Sequence, residues 1–209
     1  MPVVHRFSNQ PFGRRLALIA GGALAVRLLY IFVIAPEPIG VGGDASFYHS
    51  AANLIAQGHF YERRIFGHAY QTALHPPLYS IVLSVVAWLG GVHLLPQRLV
   101  GLVIGTISVY LIGELGRRIA ATERIASAER TVGTERTASA EPTVGAERTG
   151  LIAAGIAAIY PPFITADGSI MSEPLYVLLL VVALLLALSL IARPTVTRAA
   201  ALGAVIGLS

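Results

Sequence analysis

The sequence predicts an all-α, polytopic membrane protein, and three observations predict it. Of 209 residues, 55% are hydrophobic and only 12% charged, where a soluble domain carries about a quarter charged residues. Several apolar runs approach the ~18–20 residues needed to cross ~30 Å of hydrocarbon. Arginines cluster where those runs begin or end: Arg14-Arg15, Arg117-Arg118 and Arg193. All 15 basic residues are arginine, and cysteine is absent, which excludes disulfides and thiolate chemistry. The net charge of +4 does not point to nucleic acid. The arginines sit at helix ends and in loops without aromatic interleaving, where membrane orientation accounts for them.

Residues 1–15 are polar and are read as a cytoplasmic N-terminus. They lack the short apolar segment and small-residue cleavage site of a removed signal, so the first helix, 16–35, is expected to be a retained anchor. Arg27 interrupts it. Pro36, Pro38, Gly40, Gly42 and Gly43 break the helix. Asp44 to Gly58 then predicts a short helix, with Phe47, Ala51, Leu54 and Ile55 on one face and Gly58 as its stop. At about four turns it cannot span a bilayer and is expected to lie on the surface. Residues 59–74 are polar and aromatic and read as a loop. The apolar run 78–91, opened by Pro76-Pro77 and closed by Gly90-Gly91, reads as either a short transmembrane helix or a second surface helix. A clear span, 99–116, ends at Arg117-Arg118.

The segment 123–148 repeats. Glu123, Glu129, Glu135, Glu141 and Glu147 recur every six residues, four of them followed by arginine (Arg124, Arg130, Arg136, Arg148) and one by Pro142. The flanking residues alternate, so the full period is twelve. Known solenoid units are longer. A hexad with Gly and Pro shows neither helical nor strand periodicity and is expected to bury no core. It reads as a tandem expansion in a tolerant cytoplasmic loop, 117–150. Spans at 151–166 and 174–192 follow, separated by a polar patch, Asp167 to Glu173. Residues 199–209 begin another helix, so the chain reads as the N-terminal portion of something longer.

Positive residues favour the cytoplasmic side. If 78–91 lies on the surface, Arg6, Arg14, Arg15, Arg117, Arg118, the repeat arginines, Arg193 and Arg198 all fall inside. Only Arg63, Arg64 and Arg98 fall outside. We therefore expect four complete spans plus the start of a fifth, in the plasma membrane with the N-terminus cytoplasmic. The loop 36–98 and the patch 167–173 then share the external side.

The residues able to carry chemistry follow from that placement. Asp44 opens a helix after two glycines. Asp fills an N-cap well, and it is also a candidate general base. Glu173 starts a span, where the helix dipole favours an acid, and is the candidate second acid; Asp167 competes with it. His75 sits at the end of the external loop. With Asp44 and Glu173 it forms the candidate set for a divalent metal ion, although no zinc-type spacing is present. Tyr48 and His49 read first as packing and capping residues, with Tyr48 carried as a candidate substrate contact. Arg27 lies about 13 Å from the outer end of its helix at ~1.5 Å per residue. An intramembrane arginine is costly and a functional candidate by default. It is expected to receive a phosphate, to snorkel or to pack against other helices.

The order of these features resembles the GT-C superfamily of membrane glycosyltransferases, in particular its protein O-mannosyltransferase and aminoarabinose-transferase-like branch (glycosyltransferase family 39-like). The matching pieces are Gly43-Asp44-x-x-x-Tyr48-x-x-x-Ala52 through Gly58, His75-Pro76-Pro77-Leu78-Tyr79, Arg98-Leu99 with Gly101 and Gly105, and Gly116-Arg117-Arg118. After the repeat come Ala153-Ala154 through Tyr160-Pro161, Met171-Ser172-Glu173-Pro174-Leu175, and Leu202-Gly203 to Gly207-Leu208. The resemblance implies a polyprenyl-phosphate-linked sugar donor, transfer on the extracytoplasmic face, and two membrane-parallel helices in the first external loop. The family's first-loop catalytic Asp maps onto Asp44, and the acid of its second external loop onto Glu173. Two departures matter: Ala45 follows Asp44 where an acid is common, and His75 precedes the Pro-Pro pair. The acceptor, whether glycan, lipid or protein, is not fixed by these residues. Arg27, Arg63 and Arg64 are the expected cations for the donor phosphate. The 209 residues alone are expected to be inactive, because later helices should close the donor groove. The rival readings are a polytopic transporter and a non-catalytic membrane protein.

Overall fold

The computed structural model describes residues 11–37, 43–60, 62–65, 68–72, 74–130 and 141–208. Arg6, Gly40, Gly42, Glu135 and Arg136 lie outside the described residues. The chain folds as α1 (Phe12–Leu29), a π-helical turn (Tyr30–Ile34), α2 (Asp44–Ala56), a ribbon of β1 (Glu62–Ile65) and β2 (His68–Gln71), α3 (Pro77–Trp88), α4 (Leu94–Arg130), α5 (Glu141–Ile159), α6 (Pro161–Asp167), α7 (Glu173–Ala192) and α8 (Val196–Leu208).

Among the described residues, three helical stretches are long and apolar enough to cross a membrane: Phe12–Ile34, Leu94–Glu123 and Glu173–Ala192. Helices α5 and α6 form a bent pair that would make a fourth, with a 59° angle between them. Pro161 and Pro162 open α6, and a proline cannot continue the preceding helix's hydrogen-bond ladder. This is an all-α membrane architecture. Helix α3 has 12 residues, about 18 Å at 1.5 Å per residue, too short to span.

Helix α4 is the central element, packed by α1, α5 and α7. Leu16 of α1, Val109 of α4, and Ala154 and Ala157 of α5 form one buried cluster. A second joins Ala45, Tyr48 and Ala52 of α2 to Tyr79 and Leu83 of α3, Ile104 of α4 and Ile170. Helices α1 and α5 run antiparallel to α4. The start of α1 therefore meets the far part of α4, where Arg117 lies 5.4 Å over the Phe12 ring. The end of α1 meets the start of α4, where Arg98 holds Ala35 and Pro36. The bundle thus has an Arg15 end and an Asp44 end.

Several expectations need correction. The loop 59–74 contains an antiparallel ribbon, with Glu62 opposite Gln71 and Ile65 opposite His68. The span expected at 99–116 belongs to a helix of 37 residues, so residues 94–98 are helix and not loop. The repeat is helical up to Arg130 and again from Glu141, because Ala, Glu and Arg are strong helix formers and can extend an existing helix on propensity alone. It also contributes to the interior, since Ala146 is buried. The face of α2 turned to the core is Ala45, Tyr48, Ala52 and Leu54; Phe47, Ala51 and Ile55 instead line a small pocket against α3 and the ribbon flanks. The glycine stops are as expected. Gly58 and Gly90 have φ of +90° and +98°, and each closes its helix with the paired 6→1 and 5→2 hydrogen bonds of a Schellman motif.

Candidate functional site

At the Asp44 end, two distant segments meet. Tyr48 of α2 donates its hydroxyl to Ser172 Oγ at 3.1 Å, joining the segment that follows α1 to the turn before α7. Asp44 begins α2 and stays more than half exposed, with His75 Nε2 at 3.5 Å from its Oδ1. The His75 ring packs on Phe47 and Tyr48 at 4.6 and 5.2 Å between centroids, and Tyr48 packs edge-on against Tyr79 at 5.1 Å. Glu173 is exposed at the first turn of α7 and makes no ion pair among the described residues.

The two tyrosines differ from free phenols. Burial raises the Tyr48 hydroxyl above its ordinary 10.0; the Ser172 bond opposes the shift, and the charges of Asp44 and Glu173 add to it. Tyr79 is pushed up further, again mainly by burial, with Asp167 and Glu173 contributing. Its hydroxyl lies near the Met171 backbone without a hydrogen bond of ordinary geometry. Both phenols stay neutral beside the carboxylates, Tyr48 as a donor to Ser172 and Tyr79 as a packing surface.

Not every candidate comes to this place. Arg27 is fully buried. Its Nε donates to Asp167 Oδ2 at 2.6 Å and its Nη1 to the Ala23 and Ala158 carbonyls. Buried in this way it does not snorkel; it ties α1 to α5 and α6, with its Nη2 left without a hydrogen-bond partner. A Cβ on Gly105 would overlap the Asp167 carboxylate, so that glycine lets the ion pair sit against α4. Asp167 is therefore spent on Arg27, and of these two acids Glu173 is the one left open. Arg63 and Arg64 lie on β1 opposite Tyr70 and Ala69; their side chains fall outside the described residues. Asp44 and His75 pair, but among the described residues no group of three or more His, Asp or Glu side chains converges to hold a metal ion. The set Asp44, His75 and Glu173 does not fit a metal site.

Two cavities border the site. One, of about 310 Å³, lies between α3 and α7 and is lined by Tyr79, Ser172, Glu173, Leu175 and Leu179. The other, of about 570 Å³, lies between α4, α6 and α7, with Asp167, Ser169 and Glu173 among apolar walls. Glu173 and Tyr176 divide them.

Sequence reasoning missed the polar scaffold underneath. Arg98, expected as an external loop charge, is 2% exposed. It donates to the carbonyls of Ala35 (2.7 Å), Pro36 (2.5 Å) and Gly168 (2.6 Å). Gln97 is fully buried, accepts from His49 Nδ1 at 2.9 Å and donates to Asn53 Oδ1 at 3.1 Å. The signal available in sequence was a Gln-Arg pair opening an apolar helix, with glycines three and seven residues beyond Arg98. Scans against protein-family models and searches of curated proteins and of solved structures found no match.

Proposed function

We propose that the protein is a membrane glycosyltransferase of the GT-C type. It moves a sugar from a polyprenyl-phosphate-linked donor to an acceptor on the extracytoplasmic face of the cell membrane. The observation that carries this reading is the Tyr48–Ser172 bond. It draws together the two segments that bear Asp44 and Glu173, beside a groove whose far wall is the strongly apolar α7. A prenyl chain would follow α7, and the sugar phosphate would stay at the acid-bearing end. The arginine-rich end is cytoplasmic by the positive-inside rule, and α2 and α3 lie along the outer surface.

In this reading Asp44 takes the proton of an acceptor hydroxyl. The hydroxyl oxygen bonds to the anomeric carbon as the bond from that carbon to the phosphate oxygen breaks. Polyprenyl phosphate leaves with the electron pair. His75 holds the Asp44 carboxylate in place, Glu173 faces the donor sugar, Tyr48 positions the Ser172 turn beside it, and Arg63 and Arg64 are the cations proposed for the phosphate, since Arg27 is buried against Asp167. A positioned general base contributes about 10²–10⁴-fold. Asp44→Asn, assayed in membranes with polyprenyl-phosphate sugars, is expected to lose at least about 10²-fold in turnover; undiminished turnover removes Asp44 as base.

One observation favours a transporter instead. The buried Arg27–Asp167 pair sits beside a 59° break in a membrane helix, and broken helices with internal charges mark transport sites. Solute uptake into proteoliposomes that Asp167→Asn abolishes and Asp44→Asn spares would establish that reading over the first.

A further inference from the structure

We infer that Gln97 and Arg98, consecutive in the first turn of α4, are positioning residues that fix how far Asp44 stands from Glu173. Their consequence for sugar transfer rests on the transferase reading; their consequence for geometry does not.

Arg98 is a buried cation with no direct ion pair among the described residues, although the charge of Glu37 acts on it. It spends its donors on three carbonyls from two segments: Ala35 and Pro36, which lead into Asp44, and Gly168, which leads into Ser172 and Glu173. A buried charge is expensive to keep, and space alone would be filled as well by an apolar side chain. What the planar fork adds is reach in several directions from one point. Lysine, with a single ammonium, cannot serve all three carbonyls along those directions.

Gln97 pins α2 itself. The Val92 carbonyl accepts from Asn53 Nδ2 at 3.1 Å, which turns Asn53 Oδ1 towards Gln97 Nε2. Gln97 Oε1 is then left to accept from the His49 ring. His49 Nε2 in turn lies 3.4 Å from Asn53 Nδ2, so the bonds close a ring in which Gln97 bridges two residues of α2 that stand one turn apart. The same stretch of α4 also presses on the turn before α7, since a Cβ on Gly101 would overlap the Asp167 carbonyl. One helical turn thereby grips the leader of α2, the face of α2 and the turn before α7. The cluster of Leu16, Val109 and Ala154 lies elsewhere along α4, so loosening this grip frees α2 without dissolving the bundle.

The chain has no cysteine, so nitroxide labels at Ser50→Cys on α2 and Leu180→Cys on α7, both exposed positions, report one distance by pulsed electron resonance. Gln97→Leu and Arg98→Lys are each expected to shift or broaden that distance. Arg15→Ala, a loss at the opposite end, is expected to leave it unchanged. For the transferase, kcat is expected to fall by up to about a hundredfold with donor KM held, the scale of an ångström-level misplacement. If Arg98→Lys does not fold, Gln97→Leu decides alone. Folded variants with the native distance distribution overturn the inference. A shifted distance in a protein with no sugar transfer supports it and counts against the transferase.

Discussion

Arg15 reaches Glu147 across 132 residues of chain, and Glu114 takes both Arg117 and Arg118, at 2.7 and 2.6 Å. At the opposite end of the bundle, Arg98 spends itself on carbonyls, and Asp44 and Glu173 face solvent with only His75 beside the first. At the first end Arg15, Arg117 and Arg118 are met by Glu147 and Glu114, while Arg14 and Arg148 stand exposed, which suits a surface that orients and stops the helices. The second holds Arg27, Arg98 and Asp167 under the surface and Asp44 and Glu173 above it. That arrangement leaves the carboxylates available, and it costs the protein an internal scaffold of polar bonds.

The comparison breaks most severely between the two layers of the Asp44 end. Asp167→Leu leaves Arg27 buried and unpaired, a loss of about 3–5 kcal/mol, expected as a steep fall in folded protein in detergent. Adding Arg27→Met is expected to recover much of that fall; no recovery would mean that the pair does more than neutralise charge. Tyr48→Phe removes one hydrogen bond, worth about 1 kcal/mol, while unfastening the two acid-bearing segments. It is expected to lower turnover more than stability. Its pH dependence has a definite sign. The folded Tyr48 value lies above 10.0, so its contribution is full below that pH and declines as pH rises past 10 towards the folded value. Thermal unfolding of native protein and Tyr48→Phe across that range is expected to converge. The smallest effect belongs to the other end. Arg15→Ala breaks a partly exposed pair, expected to cost no more than about 1 kcal/mol and to matter less as salt increases.

Much of the frame was legible because apolar run length and arginine placement are local signals. They anticipated α1, α7, the body of α4, and the two short helices α2 and α3. Counting arginines even placed Asp44 and Glu173 at the same end. What was not legible depended on partners far apart in sequence. Asp167 and Glu173 both look like acids near a helix end; only the fold, which brings Asp167 to Arg27 140 residues away, separates their roles. Arg98 reads as a loop charge until α4 is seen to begin at Leu94. The repeat shows a period that matches no packed face, yet a helix already nucleated by α4 continues through its first copies, since propagation is far cheaper than initiation. The ribbon between Glu62 and Gln71 has strands too short to declare an alternation.

The part of the repeat that continues α4 as helix, up to Arg130, has a consequence for how its length can change. At 37 residues, α4 extends about 55 Å, well beyond a ~30 Å hydrocarbon layer. Slippage of a tandem gene segment adds or removes whole units without shifting the reading frame. A twelve-residue unit inserted into the described helical part of α4 would lengthen that helix by about 18 Å and turn whatever follows it by about 120°. Three such units would bring the original side back.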